Sequence, residues 1–126
     1  MGAFKEVSMN EQNTDYHQKL VKPDFKAVAE ALYEFLAGKE DGYEVATREL
    51  VDEVFGPGQS EYMGPEVGYV TSYRLFTIVE DDYWEIDKLL MKLVRQKKEF
   101  KLDFSKYEGM TVGLPYNIPF VLRKKK

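Results

Sequence analysis

The stretch DDYWEIDKLLMKLVRQKKEFKLDF, from Asp81 to Phe104, combines the pattern of a long amphipathic helix with that of a β-strand. Its first part carries apolar residues at spacings of three and four, which places them on one helical face: Tyr83, Ile86, Leu89, Leu90, Leu93 and Val94. After Glu99 the spacing changes to two, because Phe100 and Leu102 alternate with polar residues. We therefore predict a helix over 82–98 that passes through a tight turn into a strand over 100–104.

The apolar faces of this helix and strand are the largest in the chain, and we expect them to share one core. Each large apolar side chain contributes roughly 1.5–3 kcal/mol when it is buried. We expect this surface to be interior packing rather than the lining of a ligand groove. Asp81 and Asp82 are the predicted N-caps, since carboxylates accept hydrogen bonds from first-turn amides and favour the positive end of the helix dipole.

Composition indicates one small domain with a real core. The chain has 126 residues, of which 44% are hydrophobic and 14% aromatic. It contains no Cys, which excludes disulfides, thiolate metal sites and cysteine nucleophiles. No apolar run approaches the roughly 20 residues of a membrane helix, and the N-terminus lacks the apolar core of a signal peptide. We expect a cytoplasmic protein that does not engage a membrane.

The net charge of −4 conceals an uneven distribution along the chain. Residues 1–83 hold 7 Lys and Arg against 17 Asp and Glu, whereas residues 84–126 hold 11 against 5. Such a split marks either a basic binding surface or two halves of one fold that attract each other. We favour the second interpretation.

The N-terminal region predicts a polar segment followed by a helix. Residues 1–22 have no clear period and are expected to be flexible, and residues 23–126 are expected to form a single α+β domain. A helix is predicted over 25–37, with Asp24 as its N-cap and Gly38 as its C-terminal stop.

The middle of the chain predicts a short extended segment at 43–45 and a second helix over 47–55, capped by Thr47. Residues 59–68 are predicted to be a loop. The stretch 67–79 has the Val, Thr, Tyr and Ile content of a strand and also the spacing of a helical face. We favour a helix there, because it would complete a cluster of three helices.

The C-terminal region predicts a β-hairpin. Residues 105–109 have the composition of its loop, and residues 120–122 are predicted to be an edge strand that pairs with 100–104. The predicted fold class is therefore α+β, with three to four helices and a C-terminal antiparallel β-hairpin.

The order helix, short strand, helix, further helix and β-hairpin resembles a winged-helix domain. The segments that carry the resemblance are 25–37, 43–45, 47–55, 86–98 and the hairpin arms at 100–104 and 120–122. The resemblance is one of pattern, without a sequence motif. The stretch 56–80 is far longer than the usual short turn before a recognition helix, and the segment in the position of the wing, 105–119, is long and proline-rich. Fold resemblance alone does not establish function.

No catalytic pattern is visible in the sequence. His17 is the only histidine, so no histidine pair exists for a zinc site, and no Ser-His-Asp set lies on a predicted ordered frame. The glycines form no phosphate-binding loop. We expect a non-enzymatic protein without a cofactor, a metal or a small-molecule substrate.

Two binding functions follow from the charged and aromatic residues. Nucleic acid is the first candidate partner, through phosphate contacts from the basic face of helix 82–98, the hairpin and the stretch 67–79. The residues predicted for this role are Arg74, Lys88, Lys92, Arg95, Lys97, Lys98, Lys101, Arg123 and Lys124.

The second candidate partner is a protein, either another chain or a second copy of this one, and we favour it. Nine Tyr, eight Phe and one Trp exceed what one core needs, and Tyr is typical of interfaces because it is large and carries a polar tip. The residues predicted for this surface are Tyr62, Tyr69, Tyr107, Tyr116 and Ile118.

Overall fold

The computed structural model describes residues 21–107 and 115–124, and within them the fold is α+β. Three helices are present in the described residues: α1 (Phe25–Ala37), α2 (Thr47–Phe55) and α3 (Glu80–Lys97). The strands are β1 (Glu44–Val45), β2 (Gln59–Tyr62), β3 (Tyr69–Ser72), β4 (Thr77–Val79), β5 (Phe100–Asp103) and β6 (Phe120–Lys124). Two short 3₁₀ segments, Ser105–Tyr107 and Pro115–Asn117, lie between β5 and β6.

The strands form two antiparallel sheets, with the orders β1–β6–β5 and β2–β3–β4. The prediction that residues 120–122 pair with 100–104 is confirmed, since Leu102 lies opposite Leu122. The prediction that this strand lies at an edge is wrong. β6 is central, because β1 pairs along its other side and the Leu122 amide donates to the Tyr43 carbonyl at 2.8 Å.

α1 and α3 supply nine of the 22 buried hydrophobic residues in the described ranges, and the predicted apolar face of α3 is confirmed except that Leu89 and Leu93 are half-buried. The buried members are Val28, Ala29, Leu32, Tyr33 and Leu36 on α1 and Tyr83, Ile86, Leu90 and Val94 on α3. β5 joins the same core through Phe100, whose ring stacks on that of Tyr33 with the ring centroids 4.9 Å apart. α3 and β5 therefore pack into one core, as the spacing of their apolar residues predicts.

The first helix begins and ends where the sequence predicts. Asp24 accepts a hydrogen bond from the Ala27 amide at 3.2 Å, and Gly38 follows the last helical residue. The other predicted caps are corrected. Thr47 is already helical, and Glu49 reaches back to accept from the Ala46 amide at 3.1 Å.

α3 also starts earlier than predicted, directly after β4. Asp82 lies inside its first turn and accepts from the Val79 amide at 2.9 Å, so it acts from the third helical position rather than from the cap. Glu80 and Asp81 complete an acidic first turn, which suits the positive end of the helix dipole.

The helix predicted over 67–79 is wrong, and so is the uninterrupted loop over 59–68. Residues 59–62, 69–72 and 77–79 form the sheet β2–β3–β4, in which Val70 pairs with Val79 and Thr71 with Ile78, and only 63–68 form a loop as predicted. A four-residue turn connects β3 to β4, closed by the Tyr73 amide donating to the Phe76 carbonyl at 2.8 Å. β-Branched residues pack well on a pleated surface, and pairing between strands outweighed the helical spacing here.

Residues 1–20, most of the segment predicted to be flexible, lie outside the described residues. Val21 and Lys22 contact the fold: the Thr77 amide donates to the Val21 carbonyl, and Lys22 Nζ lies 2.8 Å from the Asp82 carboxylate. None of the helices in the described part of the chain combines the length and the apolar character needed to cross a bilayer.

The connection from α3 to β5 is the tight turn that the sequence predicts, and it contains neither Gly nor Pro. Lys98 makes the reversal by adopting the left-handed conformation, with φ 57° and ψ 28°, and its amide donates to the Val94 carbonyl at 3.1 Å. A non-glycine residue pays about 1–2 kcal/mol for this conformation. The turn therefore carries backbone strain at Lys98, and this strained conformation is what brings β5 beside α3.

We predict that Lys98→Gly stabilises the fold by about 0.5–1 kcal/mol, because relief of the left-handed strain exceeds the extra backbone entropy that Gly loses on folding. Urea unfolding followed by far-UV circular dichroism measures the change. Lys92→Gly is the matched control, since Lys92 is exposed in the interior of α3, and there Gly costs about 1 kcal/mol. A comparable loss of stability in both variants would show that Lys98 is not strained.

Candidate functional site

A groove runs between the C-terminal turns of α3 and the strand β5. Its volume is about 390 Å³, and its lining is mainly apolar. Side chains from both elements contribute to it: Met91, Val94, Arg95 and Lys98 from the helix side, and Phe100, Lys101, Leu102 and Phe104 from the strand side. Because the helix and the strand are joined by the reversal at Lys98, the two walls of the groove come from one continuous stretch of chain.

The groove corrects one expectation drawn from the sequence. Phe100 is interior packing as predicted, with 2% of its surface exposed. Phe104, at the other end of the same alternating pattern, is 36% exposed and packs edge-on against Phe120 with ring centroids 5.6 Å apart. The apolar face of this strand thus passes from the core into an open groove.

Three cations lie beside the apolar lining. Arg95, Lys98 and Lys101 are all exposed, and none of them forms an ion pair with another residue of the described ranges. The two carboxylates nearest in sequence are engaged elsewhere. Glu99 accepts a hydrogen bond from the Tyr33 hydroxyl, and Asp103 accepts from Ser105 and lies 3.4 Å from Arg123. The cations of the groove therefore stay available for an external anion.

Hydrogen bonds hold Asp103 in its ionised form. Those from the Ser105 hydroxyl and amide, aided by Arg123, lower the pKa of the Asp103 carboxyl from its ordinary value. These contacts lie on the far side of β5 from its buried face, since Phe100 and Leu102 alternate with Lys101 and Asp103. The strand consequently presents an apolar face towards the core and carries Lys101 and Asp103 on its other face, and Lys101 also lines the groove.

β5 is an outer strand of its sheet. In the order β1–β6–β5 it has β6 as its one described neighbour, so half of its backbone amides and carbonyls point away from a pairing strand. Such an edge is a template for further strand pairing. The outer edge of β5 therefore leaves backbone hydrogen-bonding groups without a partner strand among the described residues.

The nine basic residues predicted to contact nucleic acid lie on α3 and in the turn after it, on β5, on β6 and in the turn between β3 and β4. Arg95, Lys98 and Lys101 come together at the groove, and Lys92 lies exposed one turn earlier on α3. Arg74 lies in the turn of the other sheet.

The other four have contacts within the fold. Lys88 lies 3.4 Å from Glu85, Arg123 lies 3.4 Å from Asp103, Lys97 lies over the Tyr33 ring, and Lys124 donates to the Ala37 carbonyl.

The residues predicted for a protein interface lie in different parts of the fold. Tyr62 and Tyr69 face each other across β2 and β3, with ring centroids 5.2 Å apart, and both are more than half exposed. The expected exposure of Tyr116 is wrong: it is 2% exposed, because its ring stacks on Tyr83 inside the core and its hydroxyl donates to Glu80 at 2.9 Å.

The remaining two predicted interface residues are half-buried. The Tyr107 hydroxyl donates to Glu44, which also accepts from Lys106 Nζ at 2.7 Å. Ile118 is half-buried in the turn that leads into β6.

Buried and half-buried polar side chains form two further clusters, and each cluster joins elements of the fold. The Tyr73 hydroxyl donates to Asp52 at 2.6 Å and lies 2.9 Å from the Tyr83 hydroxyl, which connects the second sheet to α2 and α3. Burial, followed by the hydrogen bond to Asp52, raises the pKa of Tyr73, so its hydroxyl stays protonated. No group of three metal-ligating side chains occurs among residues 21–107 and 115–124.

The second cluster joins α2 to α3. Thr47 Oγ1 donates to Asp87 Oδ1 at 2.6 Å. Burial raises the pKa of the Asp87 carboxyl, and the hydrogen bond from Thr47 offsets part of that effect. Both clusters satisfy their own donors and acceptors, so they serve as structural ties rather than as reactive groups.

No family model, curated protein or solved structure matches this chain. The geometry of the groove is therefore the main guide to function. Sequence reasoning named its three cations but assigned them to a broad basic face, and it placed Phe104 in the core. The sequence signal that could have located this groove is the set of cations at 95, 98 and 101 beside an alternating apolar strand, whereas the exposure of Phe104 is visible only in the structure.

We predict that Asp87→Asn raises the free energy of unfolding at pH 7. Between the ordinary Asp pKa of about 3.9 and the raised folded value, the folded state binds more protons than the unfolded state, so stability falls as pH rises through that window. Asn carries no charge and keeps an oxygen that accepts from Thr47. Urea unfolding at pH 7 and at pH 3.5 measures the difference, which should shrink at the lower pH.

The exposed Glu66→Gln provides the control for this experiment, because it removes one negative charge without removing a buried carboxylate. A variant Asp87→Asn that is less stable than the parent at pH 7 would contradict the destabilising effect assigned to burial of this carboxylate.

Proposed function

We propose that the chain is a non-enzymatic protein-interaction domain that binds an acidic, partly apolar segment of a partner protein in the groove between α3 and β5. The observation that supports this most directly is the pairing of an apolar lining with the three free cations Arg95, Lys98 and Lys101. Apolar contact supplies affinity, and charge complementarity selects the partner and accelerates its association. The groove offers both kinds of contact within one stretch of chain.

The lining suits a peptide better than a rigid small molecule. The flexible side chain of Met91 forms part of the groove wall, which lets the lining adapt to different apolar side chains. The cations lie on long side chains and are well placed for carboxylates along an extended or helical segment. Phe104 provides an exposed aromatic ring, a kind of residue that is enriched where proteins bind each other.

Nucleic-acid binding of the winged-helix type is a second candidate. It is favoured by the exposed, unpaired cations Lys92, Arg95, Lys98 and Lys101, because phosphate neutralisation supplies most non-specific affinity. A duplex would use the charges of this region but would gain little from the apolar lining. The two candidates therefore differ in what they require of Phe104.

We predict that Arg95, Lys98 and Lys101, changed together to Glu, weaken peptide binding by at least about tenfold. Each exposed ion pair with the peptide contributes roughly 0.2–1 kcal/mol to binding, and reversal of the three charges adds repulsion. A tenfold change in the dissociation constant corresponds to about 1.4 kcal/mol. The probe is a fluorescein-labelled peptide in which Val alternates with Glu, of about nine residues to match the usual length of a strand. Fluorescence anisotropy at low and at moderate salt measures the dissociation constant.

The matched control changes Lys26, Lys88 and Lys92 to Glu. These residues are exposed and lie outside the groove lining, and their reversal alters the net charge by the same amount. The groove proposal requires that the control variant retain most of the affinity. Equal losses in the two variants would mean that only the overall charge attracts the peptide, and absence of peptide binding by the parent chain would reject the proposed function.

We predict that Phe104→Ser separates the two candidate partners. The substitution removes apolar contact from the groove without changing any charge. It should weaken binding of the Val-Glu peptide several-fold and leave binding of a random-sequence DNA duplex unchanged in a mobility-shift assay at low salt. Urea unfolding checks that the variant remains folded, since Phe104 also packs on Phe120. A duplex that shifts with the parent chain, together with a peptide that does not bind, would favour the nucleic-acid candidate.

A further inference from the structure

The outer edge of β5 lies beside the groove, and the two features suit one kind of occupant. The groove is lined by residues from both faces of β5, since Lys101 contributes to it together with Phe100 and Leu102. A cavity lined in this way extends along the edge of the strand rather than lying over one face of the sheet. Whatever occupies it therefore lies next to the free backbone groups of β5.

We propose, building on the proposed function, that the partner segment binds in extended form and adds to the sheet as a new strand on the outer edge of β5. The sheet order would become β1–β6–β5–partner. Backbone hydrogen bonds to β5 would supply affinity without regard to sequence, and the side chains of α3 and β5 would supply selectivity.

The alternation of β5 defines the side chains that this partner should carry. Side chains on one face of the added strand lie beside Leu102 and Phe104, with Met91 of α3 opposite them, and apolar residues fit there. Side chains on the other face lie beside Lys101, where opposite charges directly across a strand pair stabilise the pairing. The expected partner sequence is thus an alternation of apolar and acidic residues.

The helix end adds a second source of selectivity. Arg95 and Lys98 lie where α3 turns into β5, so they face one end of an added strand rather than its centre. An acidic residue at that end gains from both cations. The negative end of the α3 dipole points to the same place, and the exposed cations there offset its effect on an incoming carboxylate.

The same charges disfavour a second copy of this chain as the added strand. Pairing of β5 with β5 of another copy would bring two sets of Arg95, Lys98 and Lys101 together. Lysine on an edge strand is one of the devices by which proteins prevent association through their edges. These cations therefore repel the same groove of a second copy and attract an acidic segment. We accordingly assign the groove to a different protein as partner.

N-methylated peptides test this mode of binding with the full chain as it stands. In an added strand, alternate amides donate to β5 and the others face solvent. Two versions of the Val-Glu peptide are needed, one N-methylated at every odd residue and the other at every even residue. Strand addition predicts that one version loses at least about tenfold in affinity while the other stays within about threefold of the unmodified peptide.

A further peptide of the same composition, rearranged so that its Val residues recur at helical spacing, tests the competing mode. Strand addition predicts that it binds more weakly than the alternating peptide. Similar losses for both N-methylated versions, or tighter binding of the rearranged peptide, would overturn the added strand while leaving the groove as a peptide site. If the unmodified peptide does not bind, both the strand and the proposed function are rejected.

Discussion

The reversal at Lys98 determines how the C-terminal half of this chain is arranged. A helix of 18 residues enters a strand after a turn of two residues that contains no Gly, and Lys98 makes the reversal in the left-handed conformation. This places β5 against the end of α3, with Phe100 buried on Tyr33 and Phe104 left at the rim of the groove. A longer connection would let β5 move away from α3, and the groove would lose one of its walls.

Hydrogen bonds between buried hydroxyl groups and half-buried carboxylates hold the remaining elements around that unit. Tyr73 ties the second sheet to Asp52 on α2, and Thr47 ties α2 to Asp87 on α3. Arg48 and Tyr116 both meet the Glu80 carboxylate, which fixes the start of α3 against α2 and the segment before β6. An unpaired buried polar group costs about 1–3 kcal/mol, so these contacts favour one arrangement of the elements over others with similar apolar burial.

Much of the fold follows from the sequence, and the errors have a common cause. Strong local signals gave α1, α3 and β5 to within two residues, because the apolar spacing over 25–37 and 82–98 is regular and the change of period at Glu99 is abrupt. The sheet β2–β3–β4 was missed because the turn from Tyr73 to Phe76 contains neither Gly nor Pro, and because the spacing within 67–79 also fits a helix. Pairing between strands is a non-local property, and a single sequence does not display it.

The same limit applies to the candidate site. The sequence shows the types of its residues but not which residues lie next to them in the fold. Tyr116 looked like an exposed aromatic because it stands between prolines, yet the 3₁₀ segment around it directs the ring into the core beside Tyr83. The position of β6 at the centre of its sheet depends on pairing with β1, more than 70 residues earlier in the chain. That pairing makes β5 the edge strand, and no local pattern in β5 indicates it.

The positions of the ion pairs show whether the acidic first part of the chain and the basic last part pair with each other. If the acidic and basic halves neutralised each other, ion pairs would join them. Among the five ion pairs of the described residues, only the one between Lys106 and Glu44 does so, and the other four lie within one half. The positive charge of the C-terminal half is therefore largely uncompensated within the described fold. Arg95, Lys98 and Lys101 place three of these cations beside an apolar groove, which is the charge pattern that the proposed acidic partner requires.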